Sequence, residues 1–211
     1  MNLWISTHFL VAGLFLSSWA LTPEECRPLI TPLSMKPSMV SLHLSHFLVG
    51  YTDNEVYNDM LKTTQSYWMN VHPSPSIPET FAMSADNKLN GTCLSLRTNI
   101  NFEGNTASTL VSNITSVFHI LPTCDGCLLM SINSSATNLD KVFSMMNYNS
   151  KVTAEKINVH ALYLMGTTLK DSDLEHFRKQ ASCLGFNREP DFIYDPKNDF
   201  CAEGEGRMLF E

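Results

Sequence analysis

Beyond a proline-rich lead-in (Pro23, Pro28, Pro32, Pro37), the chain breaks into short segments in which apolar and polar residues alternate, each bounded by turn residues. Alternation with period two marks half-buried strands, because successive side chains point to opposite faces of a sheet. The segments are Ser45 to Thr52, Lys62 to His72, Glu79 to Asp86, Thr92 to Phe102, Thr106 to Val111, Thr115 to Leu121, Cys127 to Asn133 and Asn158 to Met165. Short strands with turn signals between them predict an antiparallel barrel or sandwich. Eight strands close into a barrel just wide enough for one small ligand. The expected fold is therefore all-β with one helix, an antiparallel barrel or sandwich for which eight strands favour the barrel. The stretch from Ser134 to Lys156, with Leu139-Asp-Lys-Val-Phe-Ser-Met-Met146, reads either as an extra helix or as a long loop between the last two strands.

One segment changes to helical period. It begins at Asp171 or Ser172, where Ser172-Asp-Leu-Glu175 has the pattern of a capping box, and stops at Gly185. Leu174, Phe177, Ala181 and Leu184 form its apolar stripe, while acidic residues crowd the first turn and Arg178 and Lys179 follow, as the helix dipole favours. Such a C-terminal amphipathic helix is expected to lie against the outside of the barrel. An extended tail follows it.

Residues 1–20 read as a signal peptide, with an apolar run from Phe9 to Leu16 and small residues at Ser17, Ser18 and Ala20 that suit cleavage before Leu21. The run is shorter than the about 20 apolar residues a bilayer span needs. Because this leader lacks Lys and Arg, retention as an N-terminal anchor is the alternative. Residues 21–211 then form one domain. The formal net charge of −7 is spread thinly, which argues against nucleic acid and anionic membrane surfaces as partners, since both call for clustered Lys and Arg.

Six cysteines, at 26, 93, 124, 127, 183 and 201, stand behind the leader, and an even count in that setting predicts disulfides. Asn90-Gly-Thr, Asn113-Ile-Thr and Asn133-Ser-Ser are acceptor triplets for N-glycosylation in a secreted chain. Cys124-Asp-Gly-Cys127 has the spacing of a thiol-disulfide exchange motif. It sits between two strands with Asp-Gly in the middle, which signals a hairpin turn, so a small disulfide locking the turn is the competing reading. No second Cys or His pair follows at zinc-site spacing, and His43 and His46, three apart, read as surface or rim residues. Nucleophile elbows, zinc-protease motifs and phosphate-cradling glycine loops are absent from the sequence, so neither enzyme chemistry nor a cofactor is expected.

The run Asp171-Ser-Asp-Leu-Glu-His-Phe-Arg-Lys-Gln-Ala-Ser-Cys183-Leu-Gly, continuing through Pro190-Asp-Phe-Ile-Tyr194 to Asn198-Asp-Phe-Cys201, resembles the end of a secreted lipocalin. It is similar to orosomucoid (the alpha-acid glycoprotein), to apolipoprotein M, and to the fish carriers that bind saxitoxin, tetrodotoxin or tributyltin. Asp53-Asn-Glu-Val-Tyr-Asn58 and Tyr67-Trp-Met-Asn-Val-His-Pro73 resemble the orosomucoid segments after the first strand and in the second. The Gly-x-Trp usual at the first strand is replaced by Ser45-His46-Phe47, which keeps an aromatic ring and loses the indole N–H. The resemblance implies an eight-stranded antiparallel up-and-down barrel with a C-terminal amphipathic helix, and pairing of Cys26 with Cys183 and Cys93 with Cys201, leaving Cys124 and Cys127 for each other.

It also anchors the parity of each strand, and the implied inward set is Val49, Tyr57 at the mouth, Met69, Val71, Met83, Ala85, Leu96, Thr98, Ile100, Phe102, Phe118, Ile120, Met130, Ile132, Ala161 and Tyr163. The same residues would equally fill a packed core on parity alone. With the resemblance, they imply a monomeric secreted carrier of small lipophilic molecules such as lipids, steroids, drugs or toxins, with Tyr57 and Tyr163 as polar handles. The alternatives are an apolipoprotein M-like sphingolipid carrier on lipoprotein particles and a secreted thiol-disulfide oxidoreductase using Cys124 and Cys127. The cysteine nucleophile of prostaglandin D synthase-like lipocalins is missing, since no cysteine lies between Cys26 and Cys93.

Overall fold

The computed structural model describes residues 21–34, 42–74, 77, 80–139, 143–144 and 156–209, with the backbone alone at 42–44. The expected leader lies outside the described residues, as does the part of 134–156 that would decide between helix and loop.

The chain runs α1 (Pro23–Ile30), β1 (Leu42–Thr52), α2 (Glu55–Thr63), β2 (Thr64–Pro73), β3 (Thr80–Leu89), β4 (Thr92–Glu103), β5 (Thr106–Val111), β6 (Ile114–Leu121), β7 (Leu128–Thr137), β8 (Lys156–Gly166), α3 (Asp171–Cys183), β9 (Phe192–Ile193) and β10 (Arg207–Met208). All eight expected strands are present. The single expected helix is joined by two more. The start of the lead-in is helical because Thr22 and Glu25 form a reciprocal capping box and Pro23 sits where a helix has no use for an N–H. In α2, which takes the first residues of the expected second strand, Asn54 caps by accepting from the N–H groups of Val56 and Tyr57.

Successive strands from β1 to β8 pair antiparallel, and β1 pairs with β8, closing an eight-stranded up-and-down barrel. One seam is only half laddered. β4 meets β5 at Asn101, Phe102 and Glu103, next to the β4–β5 turn, and no further along. Beyond that, the hydroxyls of Thr98 and Thr109 lie 3.0 Å apart, and Thr109 Oγ1 donates to the Asn99 carbonyl at 2.9 Å. The far half of β4 instead takes the tail: β10 runs parallel to it, with Arg207 opposite Leu94 and Met208 opposite Ser95. Cys201, bridged to Cys93 at the start of β4, brings the tail there.

α3 covers the outer face of the sheet, where Leu48, Val49, Tyr51, Leu129, Leu162 and Leu164 pack against Phe177, Ala181 and Phe186. Fully buried Gln180 donates from Nε2 to the carbonyls of Leu29 and Pro122, tying α1 and the β6–β7 connection to the helix. Cys26 joins Cys183 across the same junction. The expected capping box at Ser172 does not form: the first helical carbonyl accepted is that of Lys170, which places Ser172 inside the first turn. At the other end Gly185, at φ +90°, donates to Ser182 while Phe186 donates to Ala181, a pair of bonds that closes the last turn and needs a residue free to adopt positive φ.

Candidate functional site

Two cavities occupy the barrel interior, with volumes of about 300 Å³ and 360 Å³. The first lies at the end carrying α2 and the β3–β4, β5–β6 and β7–β8 connections. Tyr57, Met60 and Leu61 of α2 overhang it, and Leu139 and Phe143, beyond β7, close over it. The second lies at the opposite end, against Leu33, Ser34 and the Cys124–Cys127 turn. Met69, Met83, Phe118 and Met130 line both, so three flexible thioethers and one ring form the partition between them.

Of the expected inward residues, Tyr57, Ile132 and Tyr163 line the first cavity with Leu96 and Ala161, and Val71 and Ile100 line the second with Phe102 and Ile120. Ala85 is buried between its cross-strand partners Met69 and Leu96 and reaches neither cavity. Thr98 also lines neither, its hydroxyl being committed to the β4–β5 seam.

Val49 is a correction. The ladder between β1 and β8 slips between Phe47 and Val49, and one extra residue in a strand turns the following side chains over. Phe47 therefore faces the cavity, whereas Val49 lies in the outer core beneath α3. Gly50 takes the inward place. A Cβ there would stand 2.4 Å from Phe47 Cζ and 2.8 Å from Tyr163 Cδ1, so only glycine leaves room for both rings. His46, expected at the surface or rim, is half-buried and lies on Phe200 with ring centroids 4.2 Å apart.

Several lining groups escaped the sequence reading because it sought apolar side chains. Tyr67 and Asn87 are cross-strand partners on β2 and β3, in the same inward register as Met69 and Met83. Ser116 and Ser134 share a hydrogen bond at 2.8 Å on the opposite wall. Burial raises the hydroxyl pKa values of Tyr57, Tyr67 and Tyr163 above the ordinary phenol range, and for Tyr163 the neighbouring Tyr57 and Tyr67 add to the effect. These tyrosines stay neutral donors at any physiological pH. Among the described residues no Lys, Arg, His, Asp or Glu lines the first cavity, and Asp125 is the one charged residue lining the second.

Cys124 and Cys127 are joined to each other, and Cys127 N donates to the Cys124 carbonyl at 3.0 Å across a turn whose Gly126 has φ +75°. The motif closes a turn between β6 and β7 and opens no helix, the setting that activates such thiols. Among the described residues one group of potential metal ligands gathers, Cys93, Cys201 and Glu205, and its two sulfurs are consumed in a disulfide.

The closed barrel, its flanking helix and an enclosed interior can be set beside known structures. The siderocalin Ex-FABP superposes with a TM-score of 0.53 at 9% identity, covering 74% of this chain and 94% of its own. The fold is that of the lipocalins. Siderocalin Q83 gives 0.52 at 10% identity over 75% and 90%, and the odorant-binding protein OBP1 gives 0.50 at 14% identity over 72% and 88%. No family model matches the chain, and no curated protein matches it. Those neighbours are described as proteins that bind ligands or odorants.

Proposed function

We propose that this lipocalin-fold chain is a secreted, glycosylated carrier that takes small neutral lipophilic molecules into the barrel. The observation that carries the reading is the first cavity, lined among the described residues without a single charged side chain. Burial of apolar surface drives binding, at about 0.8 kcal/mol per methylene. A bare carboxylate would lose its hydration there and find no cation, a cost that several methylenes do not offset. The proposed binding residues are Tyr57, Met69, Val71, Met83, Ile100, Phe118, Met130, Ile132 and Tyr163.

Three disulfides support an oxidising, extracellular setting. Asn90 and Asn113 are exposed in the β3–β4 and β5–β6 turns and are the proposed glycan sites, while Asn133 is exposed within β7. Endoglycosidase treatment of secreted protein should raise its gel mobility, and Asn90→Gln with Asn113→Gln should abolish that shift. Among the resembling carriers, the orosomucoid and fish toxin-binding types fit a free plasma carrier. An apolipoprotein M-like place on lipoprotein particles would require residues 1–20 to be retained.

The test is a titration of delipidated protein with a neutral fluorescent lipophile and with its carboxylate analogue. The neutral probe should bind more tightly, and Met83→Arg should weaken it while helping the anion. Equal affinities unaffected by the substitution would overturn the reading.

A further inference from the structure

The first cavity holds one polar group that the fold does not use. Asn87 Oδ1 is wholly shielded from solvent and has no hydrogen-bond partner. A buried amide without a partner loses its hydration and gains nothing in return, so native structures seldom keep one without a reason. Nothing in the ladder requires asparagine there: the backbone of Asn87 pairs with Tyr67 on one side and Leu94 on the other, as any residue would.

The side chain shares its face of the sheet with Tyr67, its cross-strand partner, and lines the cavity. Tyr163 lines the same space, held by Phe47, whose ring centroid lies 4.6 Å from its own and 6.2 Å from that of Tyr67. Tyr57 overhangs from α2. The hydroxyls of Tyr57, Tyr67 and Tyr163 stay protonated donors, because burial raises their pKa values. The lining thus includes an unpartnered amide oxygen and phenol hydroxyls, all neutral, apart from the Ser116 and Ser134 hydroxyls that bond each other.

Resting on the carrier reading above, we propose that Asn87, with Tyr67 and Tyr163, forms a subsite for the hydroxyl group of a neutral lipophilic alcohol. A hydroxyl both donates and accepts, so it can satisfy the Asn87 carbonyl oxygen and take a hydrogen bond from a tyrosine at once. A carboxylate can only accept, which leaves Oδ1 unpaired and its own charge uncompensated. An ammonium can only donate and would be buried without a counter-ion. An ether of the same size accepts alone.

The experiment uses N-phenyl-1-naphthylamine as the reporter on delipidated wild-type protein, displaced by 1-dodecanol and by its methyl ether. Dodecanol should displace the reporter at about tenfold lower concentration, the value of one hydrogen bond to a group otherwise left unpaired. In Asn87→Leu the alcohol and the ether should displace the reporter at the same concentration, the thermal midpoint of the ligand-free protein should rise because a buried unpaired amide is gone, and Tyr67→Phe should reduce the alcohol's advantage. Equal competition by alcohol and ether in the wild type, or an alcohol preference that survives Asn87→Leu, overturns the subsite. Failure of the reporter and both competitors to bind at all overturns the carrier reading instead.

Discussion

Phe47 lies flat against Phe192, with ring centroids 4.5 Å apart and planes 11° from parallel. The contact joins β1 to the short strand β9 that follows α3, and its other side carries Tyr163 and the cavity. Phe192→Ala removes the backing ring from a site where Phe192 is buried. The loss should be about 3 to 5 kcal/mol, in line with buried aromatic truncations. Urea unfolding monitored by intrinsic fluorescence reads the stability. The reporter titration should show weaker binding as Phe47 relaxes away from the cavity wall, and unchanged affinity would detach the stack from the site.

The tail behaves as the missing half of a barrel seam. β10 occupies the edge of β4 where β5 is unpaired, and Leu209 lines the first cavity while its N–H donates to Ser95 at 2.9 Å. Deleting residues 206–211 should open a lateral gap and speed ligand exchange several-fold, as measured by stopped-flow release of the reporter. Loss of the Cys93–Cys201 bridge, which brings the tail to β4, should do the same and cost about 2 to 5 kcal/mol in addition. Release rates unchanged by truncation would mean that exchange runs by the α2 end alone.

How much of this was legible in the residues depends on which regularity carried the information. The eight strands follow from alternation and turn residues, which are local. α2 was legible in principle, since Val56, Tyr57, Met60 and Leu61 have helical spacing behind the capping residue Asn54, but the polar residues between them masked it. Thr22-Pro-Glu-Glu25 likewise held a helix start that the surrounding prolines obscured. The slip at Phe47 and Val49 was not legible, because a bulge depends on how β8 meets β1 and changes no local pattern. Asn87 and Tyr67 sit where strand parity alone would place them. Tyr67 was overlooked because the inward set was chosen for family-aligned apolar positions, and Asn87 because the expected third strand stopped at Asp86 whereas β3 runs to Leu89.

Stability should fall in mild acid through two half-buried imidazoles. Burial pushes His46 below its ordinary value of 6.5, and burial outweighs the opposing Asp53 charge to lower His160 as well. For each, the unfolded chain takes up its proton first as pH drops. The stability they contribute is therefore whole above about 6.5 and is lost as pH falls through the lower folded values. His160 also hydrogen-bonds Ser131 Oγ through Nε2 at 3.1 Å and lies against Phe186, so its neutral form is the one the fold uses. Urea midpoints should drop between pH 7.5 and pH 5, and His46→Phe with His160→Gln should flatten that drop. A wild-type midpoint that rises toward pH 5 would reverse the assignment.

The partition between the two cavities sets the length of molecule the barrel accepts. Met69, Met83, Phe118 and Met130 are shared by both walls, and Met83 is buried at 7% exposure, facing Thr98 on β4 and Val71 on β2. Truncating it to alanine takes away the flexible thioether that separates the cavities while leaving the strand registers intact. An empty protein should lose about 2 to 5 kcal/mol, the usual cost of an unfilled methionine-sized hole. A long ligand should recover part of that by threading from one cavity into the other, since bound ligand stabilises the folded state in proportion to its affinity. In Met83→Ala, octadecanol should therefore gain affinity relative to decanol, and its binding should raise the thermal midpoint more than in wild type. Met83→Phe should shift the preference toward decanol. A chain-length profile identical in all three proteins would show that the ligand occupies one cavity and never reaches the methionine ring.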